Sequence, residues 1–148
     1  MYTKYSFDAY FFGTTATSNE AYQYAKGAVR EHLAGFDMLL RSPLVFFAVT
    51  DHAEWLTSRE WKDTISSIQN CASTSSDLDN PPIIPLLGWE WTQKSIAKSN
   101  HYGHKNVILR SIENDAIPLR PIGAEGKFFE SLLRMPISNM LSASLYDF

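Results

Sequence analysis

The chain has very little cysteine: Cys71 stands alone among 148 residues. This excludes an internal disulfide framework and any metal site built from several thiolates. An excess of basic residues is missing too, since the net charge is −3 and the pI is near 5.8, so we expect neither nucleic acid nor an anionic membrane as a partner. No apolar run approaches the roughly 20 residues of a membrane span. The start, MYTKYSFDAYFF, lacks the layout of a secretory signal. We therefore expect a soluble protein whose compartment stays unknown.

The sequence also lacks the motifs of a serine or cysteine hydrolase. No Gly-x-Ser-x-Gly is present, and Cys71 lies in a predicted helix with no histidine close by in the sequence. What is present is ordinary globular composition, with 45% hydrophobic and 20% charged residues. This length and composition predict a single domain over 1–148 with a real core.

Hydrophobic periodicity predicts alternating strands and helices. The expected elements are an irregular start over 1–17, a helix over about 19–27, a hairpin or a broken helix over 28–42, a buried strand over 44–50, a helix over 58–73, strands over 83–92 and 104–111, and a short helix over about 124–134. Ser18 or Asn19 is the expected cap of the first helix, and Gly27 its end. The order of these elements favours the α/β class.

Three polar residues fall at informative places on the predicted strands. His52 follows the strand VFFAVT, and it shares a face with Ala48 and Thr50. In LLGWEWT, Glu90 lies between small neighbours on its own face, whereas the two flanking indoles point the other way. His104 begins the third strand. Two imidazoles and a carboxylate suit a divalent ion such as Zn, Mn or Fe, which would activate water for hydrolysis.

Each of these residues also has a structural interpretation. A lone histidine after a strand is more often structural than a metal ligand, and His32 is read as structural. A purely structural role is harder to accept for Glu90, because burying an unpaired carboxylate costs much free energy. Asp51 is expected either to cap a helical turn and support the ligands without binding the ion, or to bind the ion itself. His101 and His104 lie three residues apart, and only one of them need be a metal ligand.

Four segments in this order resemble a known superfamily. SFDAYFFG, FFAVTDHAEW, GWEWT and GHKNVILR are similar to a large, little-characterised family of the PHP (polymerase and histidinol phosphatase) superfamily of metal-dependent hydrolases. Its members have a segment like "DLHVHTSYSFDAY…DFLAVTDHAE…YEWT…HRNVIF". The resemblance extends over nearly the whole chain.

The resemblance implies a distorted (β/α)7, TIM-like barrel with two or three divalent ions at the carboxyl ends of its strands. Carried over by position, His52, Glu90 and His104 match metal ligands, and Asp8 falls where a further ligand often lies. Glu90 and His52 would be the catalytic pair. Asp51 and His101 would act around the ligands. The implied reaction is hydrolysis of a small, possibly phosphorylated substrate by metal-activated water, most plausibly at a phosphoester bond.

The chain also departs from the family pattern. Tyr2 stands at the second histidine of the family's opening His-x-His, and the later Asp-x-His motif has no counterpart. On this pattern we expect a truncated, partial barrel without its first strand and its C-terminal part, and self-association through exposed barrel edges. The alternative is a non-catalytic remnant with an incomplete metal site, acting at most as a metal-binding or interaction module.

Overall fold

The computed structural model describes residues 1–74, 83–93, 103–123 and 140–141. The short helix expected over 124–134 and His101 lie outside these ranges. The elements are α1 (Phe7–Phe11), α2 (Ser18–Ala25), β1 (Arg30–Glu31), β2 (Asp37–Met38), β3 (Phe46–Val49), α3 (Ser58–Ser73), β4 (Ile84–Gln93), β5 (Gly103–Leu109), a 3-10 helix (Asn114–Ala116) and β6 (Met140–Leu141). None of the described helices is long and apolar enough to cross a membrane.

The strands form two sheets. β1 and β2 make a small antiparallel hairpin, so residues 28–42 form the hairpin rather than the broken helix. Gly35 lies between the two strands at φ +80. The second sheet has the order β3-β4-β5-β6. β3 and β4 are parallel, whereas β4–β5 and β5–β6 are antiparallel. The α/β class is confirmed. The described strands do not close into a barrel, so the barrel stays a prediction.

Capping boxes set the start of both longer helices. In α2, the Thr17 side chain accepts a bond from the Glu20 backbone N–H, and the Glu20 carboxylate accepts one from the Thr17 backbone N–H. Thr57 and Glu60 repeat the arrangement in α3. The prediction of Ser18 or Asn19 as the cap was therefore wrong by one or two residues. Thr17 is the cap because a glutamate three positions later completes the reciprocal pair of hydrogen bonds.

The core lies between α3 and β4. α3 occupies the range predicted for it and buries Trp61, Ile68 and Cys71. On β4, the face with Trp89 and Trp91 is buried as well. The rings of Trp61 and Trp89 meet edge to face at 5.8 Å between centroids, a favoured geometry for aromatic pairs. Because the indoles of β4 point to this core, Glu90 points to the opposite face of the strand.

Two local expectations were wrong. Residues 1–17 are not wholly irregular, because α1 forms one short helical stretch there. The strand over 44–50 is not wholly buried, since Val45 and Phe46 are 72% and 67% exposed. β3 stands at the end of the sheet order, and among the described strands none covers its outer side. The predicted self-association through such edges stays a prediction.

Candidate metal centre

The parallel pairing of β3 and β4 brings His52 to Glu90. An isolated parallel bridge joins the two residues just beyond the end of β3. The Glu90 N–H donates to the Asp51 carbonyl at 3.0 Å, and the Ala53 N–H donates to the Glu90 carbonyl at 2.8 Å. These two bonds hold the backbones of both residues together. The positions of the side chains are therefore set by the sheet rather than by a loose loop.

The antiparallel pairing of β4 and β5 brings His104 to the same place. In this register Thr92 lies opposite His104. In an all-parallel sheet, a histidine at the start of its strand would lie at the far end from the carboxyl ends of the others. Because β5 runs the other way, its beginning meets the carboxyl end of β4. The strand direction thus explains how a residue that begins its strand joins His52 and Glu90.

The three side chains form a compact group. Each of His52, Glu90 and His104 offers one nitrogen or oxygen atom, and these atoms lie within 4.8 Å of one another. Nε2 of His52 is 3.3 Å from Oε1 of Glu90, and Nδ1 of His104 is in direct contact with the same oxygen. The two imidazole rings are 6.2 Å apart between centroids and nearly perpendicular. Oε1 of Glu90 is the atom on which the group converges.

Glu90 is 2% exposed and has partners for both carboxylate oxygens. Thr92 Oγ1 donates to Oε1 at 2.8 Å, and the Tyr2 hydroxyl donates to Oε2. Burial by itself would raise the pKa of Glu90, but the hydrogen bonds from Tyr2, Thr92 and His104 outweigh it and lower the pKa. Burial and the bond to Glu90 together raise the pKa of the Tyr2 phenol. Glu90 is therefore an ionised acceptor at neutral pH, and Tyr2 remains a donor.

The other ring nitrogen of His52 faces the N-terminal segment. The Ser6 hydroxyl lies 3.2 Å from Nδ1 and also accepts the His52 backbone N–H at 3.0 Å. Asp8 Oδ1 is 3.6 Å from the same Nδ1. Both oxygens can accept a hydrogen bond from a proton carried by Nδ1, and in that tautomer the lone pair of Nε2 is available to an ion beside Glu90. Asp8 stands beside the three-residue group rather than in it.

Asp51 turns its side chain away from this group. Its two carboxylate oxygens accept from the Thr3 backbone N–H and the Thr3 hydroxyl, each at 2.6 Å. Burial raises the pKa of Asp51 despite these bonds. The bonds described for the Asp51 carboxylate go to Thr3 rather than to an N–H of the turn after it, and its role beside the ligands stays a prediction. Asp51 ties the segment that contains Tyr2 and Ser6 to the end of β3.

An open pocket of about 300 Å³ lies over the site. Asp8, His52, Thr92 and His104 line it, together with Phe7, Glu54 and Trp55. Its volume lies at the lower end of the range for small-molecule sites. Two of the candidate ligands, His52 and His104, thus have access to a small solute, and the buried Glu90 lies behind them.

The structure brings together three of the predicted site residues, His52, Glu90 and His104, and places Asp8 beside them. The metal assignment itself stays a prediction, and His101 lies outside the described residues. Ser6 was not predicted as a partner of His52. Tyr2 was expected only as a replacement for a histidine, and Thr92 only as a small neighbour of Glu90. Alternation along β4 was the one available signal for Thr92.

The donor set fits a divalent ion. Two imidazoles and one carboxylate are ligands that zinc, manganese and iron accept. Ligand bonds of about 2.0–2.2 Å place two ligands of one ion at most about 4 Å apart. The spread of 4.8 Å is close to that limit, so small side-chain rotations bring all three atoms within reach of a single ion.

Comparison with known proteins identifies one family. A family model described as a protein of unknown function (DUF3604) matches residues 1–83, which is more than half of the 148 residues. The matched range includes Asp8 and His52 and ends before Glu90 and His104. No curated protein and no solved structure matches the chain.

Proposed function

The chain belongs to the DUF3604 family of proteins of unknown function, and we propose that it is a metal-dependent hydrolase of the PHP type that acts on phosphoester bonds. His52, Glu90 and His104 are the proposed ligands. The observation that supports the proposal most is the convergence of these three side chains, from β4, β5 and the segment just beyond β3, to within 4.8 Å. Two histidines that line a pocket, with a buried glutamate in contact with both, are an arrangement suited to metal-assisted hydrolysis.

The residues around the ligands have definite tasks in this proposal. A bound divalent ion would supply Lewis-acid chemistry at the ester and make water more acidic. Tyr2 and Thr92 hold the Glu90 carboxylate in one orientation through hydrogen bonds to its two oxygens. Ser6 orients the His52 ring through Nδ1. Such outer hydrogen bonds keep ligand side chains in the geometry that an ion requires.

The proposal extends to the fold. β3, α3 and β4 form a parallel pair of strands with the connecting helix packed on the sheet. This is one β/α repeat of the kind from which a distorted (β/α)7 barrel is built. His52 follows the carboxyl end of β3, and Glu90 lies near the carboxyl end of β4. A complete site of this type would hold two or three ions, with Asp8 as a further oxygen ligand facing the same pocket.

Metal content and hydrolysis test the proposal together. The purified chain is loaded in turn with Zn²⁺, Mn²⁺ and Fe²⁺, and bound metal and release of inorganic phosphate from phosphoesters are measured. Glu90→Gln and His104→Gln are expected to lower metal affinity at least tenfold. Glu31→Gln and His32→Gln are matched controls, because both residues are exposed on or next to the β1–β2 hairpin. Equal metal affinity in all four variants would overturn the ligand assignment.

A second candidate function has an observation in its favour. Tyr2, Thr92 and His104 already form hydrogen bonds with Glu90, and such a network stabilises a fold without any ion. In that case the chain is a non-catalytic module. Glu90→Gln would then lower the free energy of unfolding equally with and without metal. A metal-dependent hydrolase predicts instead that metal raises the free energy of unfolding of the unmodified chain and not of the variant.

A further inference from the structure

An exposed aromatic pair borders the candidate metal centre. Phe7 and Trp55 stack with 4.8 Å between ring centroids and 20° between planes, and both line the pocket that contains His52 and His104. We propose that this aromatic pair binds a planar ring of the substrate, so that the substrate class is aryl phosphoesters. The inference rests on the proposed function, since the ester group would lie at the proposed ligands.

The mutual contact of the two rings does not account for their position. Phe7 and Trp55 remain 52% and 58% exposed even while they stack on each other. The other three tryptophans of the chain, by contrast, are at most 1% exposed. Large apolar side chains left in water beside a pocket are typical of a binding surface rather than of a core.

The backbone ties the aromatic pair to the site. Phe7 directly precedes Asp8 on α1, and Ser6 on its other side contacts the His52 ring. Trp55 lies in the turn after His52, where its N–H donates to the His52 carbonyl at 3.2 Å. A ring seated on the pair would therefore lie at a defined distance from the proposed ligands.

The charges of the pocket favour this substrate class. Among the described residues, its lining contains two carboxylates, Asp8 and Glu54, and neither lysine nor arginine. These described side chains offer no cation to the extra phosphates of a polyphosphate or to the backbone of a nucleic acid. Binding of the part of the substrate that does not react must then come from apolar contact, and the aromatic pair is the large apolar surface in the lining.

Tryptophan fluorescence gives a direct binding test, because Trp55 is the one exposed indole. Phenyl phosphate, cyclohexyl phosphate and methyl phosphate are titrated into the full chain with and without Zn²⁺. With Zn²⁺, phenyl phosphate is expected to bind about tenfold more tightly than methyl phosphate, as one good aromatic contact predicts. Phe7→Leu keeps the reporter and should remove most of this preference. Phe46→Leu, which changes an exposed phenylalanine at the opposite end of β3, should leave it unchanged.

The outcomes separate this inference from the proposed function. Equal affinity for phenyl and methyl phosphate in the presence of Zn²⁺ would overturn the aromatic subsite and leave the metal site intact. Cyclohexyl phosphate binding as tightly as phenyl phosphate would overturn the requirement for a planar ring. Phenol is the probe for the subsite alone. Quenching of Trp55 by phenol that is weakened by Phe7→Leu supports the aromatic subsite even if no metal binds.

Discussion

Replacing Asp51 tests how the N-terminal segment is attached to the site. Asp51 is 1% exposed, and both of its carboxylate oxygens accept hydrogen bonds from Thr3. Asp51→Ala removes both acceptors and leaves the buried Thr3 N–H and the proton of the Thr3 hydroxyl without acceptors. Asp51→Asn keeps the shape, one carbonyl oxygen for the N–H, and an amide that can donate to the Thr3 hydroxyl.

The magnitude follows from the two bonds and from burial. A hydrogen bond to a charged group contributes about 1.5–3 kcal/mol, and an unsatisfied buried partner costs about 1–3 kcal/mol. Removing the carboxylate also removes the cost of burying its charge, which offsets part of the loss. We expect Asp51→Ala to lower the free energy of unfolding by about 3 kcal/mol, and Asp51→Asn by about 1 kcal/mol or less.

The pH dependence of this contribution has a definite sign. Burial raises the pKa of Asp51 above its ordinary 3.8, so the folded chain holds this proton to higher pH than the unfolded chain does. The contribution of Asp51 to stability is therefore greatest below 3.8 and declines as the pH rises through the folded-state pKa. As the pH rises through that interval, the unmodified chain should lose stability relative to Asp51→Asn.

Urea unfolding followed by circular dichroism measures these effects. Asp37→Ala, at an exposed aspartate on β2, is the control and should change stability by no more than about 0.5 kcal/mol. Asp51→Ala with a cost as small as that of the control would refute the reasoning. An Asp51→Asn variant as unstable as Asp51→Ala would refute it too, because the charge rather than the pairing of Thr3 would then be decisive.

Four further changes test other parts of the structure. Tyr2→Phe removes the donor to Oε2 of Glu90 and should weaken metal binding about 10–100-fold, measured by competition with a chelator. Thr17→Ala removes the helix cap and should cost about 1 kcal/mol in urea unfolding. Burial raises the pKa of Glu20, but bonds from Thr17 and Arg30 outweigh it and place the pKa below 4.5. Its contribution is therefore present above 4.5 and lost as the pH falls through the folded value, so Glu20→Gln should flatten the acid side of the stability curve. Gly88→Ala would place a methyl group 2.5 Å from a carbonyl oxygen of β5 and should cost about 2 kcal/mol.

Each of these predictions has a contradicting result. Unchanged metal affinity in Tyr2→Phe would show that the phenol does not orient the carboxylate. Thr17→Ser is the conservative control for the cap, and it should behave like the unmodified chain. If Glu20→Gln lost stability more steeply than the unmodified chain as the pH falls, the sign of the Glu20 pKa shift would be contradicted. Full stability of Gly88→Ala would mean that β4 and β5 are less closely apposed than the structure has them.

Much of the candidate site follows from local pattern. The helix over 58–73 and the strand over 83–92 were predicted nearly at their observed bounds, because amphipathic spacing and alternation report which face is buried. Alternation along β4 also separated Glu90 from the flanking indoles. The boundary errors at α1 and at the cap of α2 arose where short segments leave little periodicity to read.

The sequence by itself determined the α/β class, the ranges of the main elements and the identity of the candidate ligands His52, Glu90 and His104. Only the tertiary structure decided that β5 runs antiparallel to β4, which places His104 opposite Thr92. It also decided that Tyr2 donates to Glu90 and that Thr3 is bound by Asp51. The physical reason is distance along the chain. Side-chain alternation is a local property, whereas strand direction and contacts between residues far apart depend on the path of the whole chain.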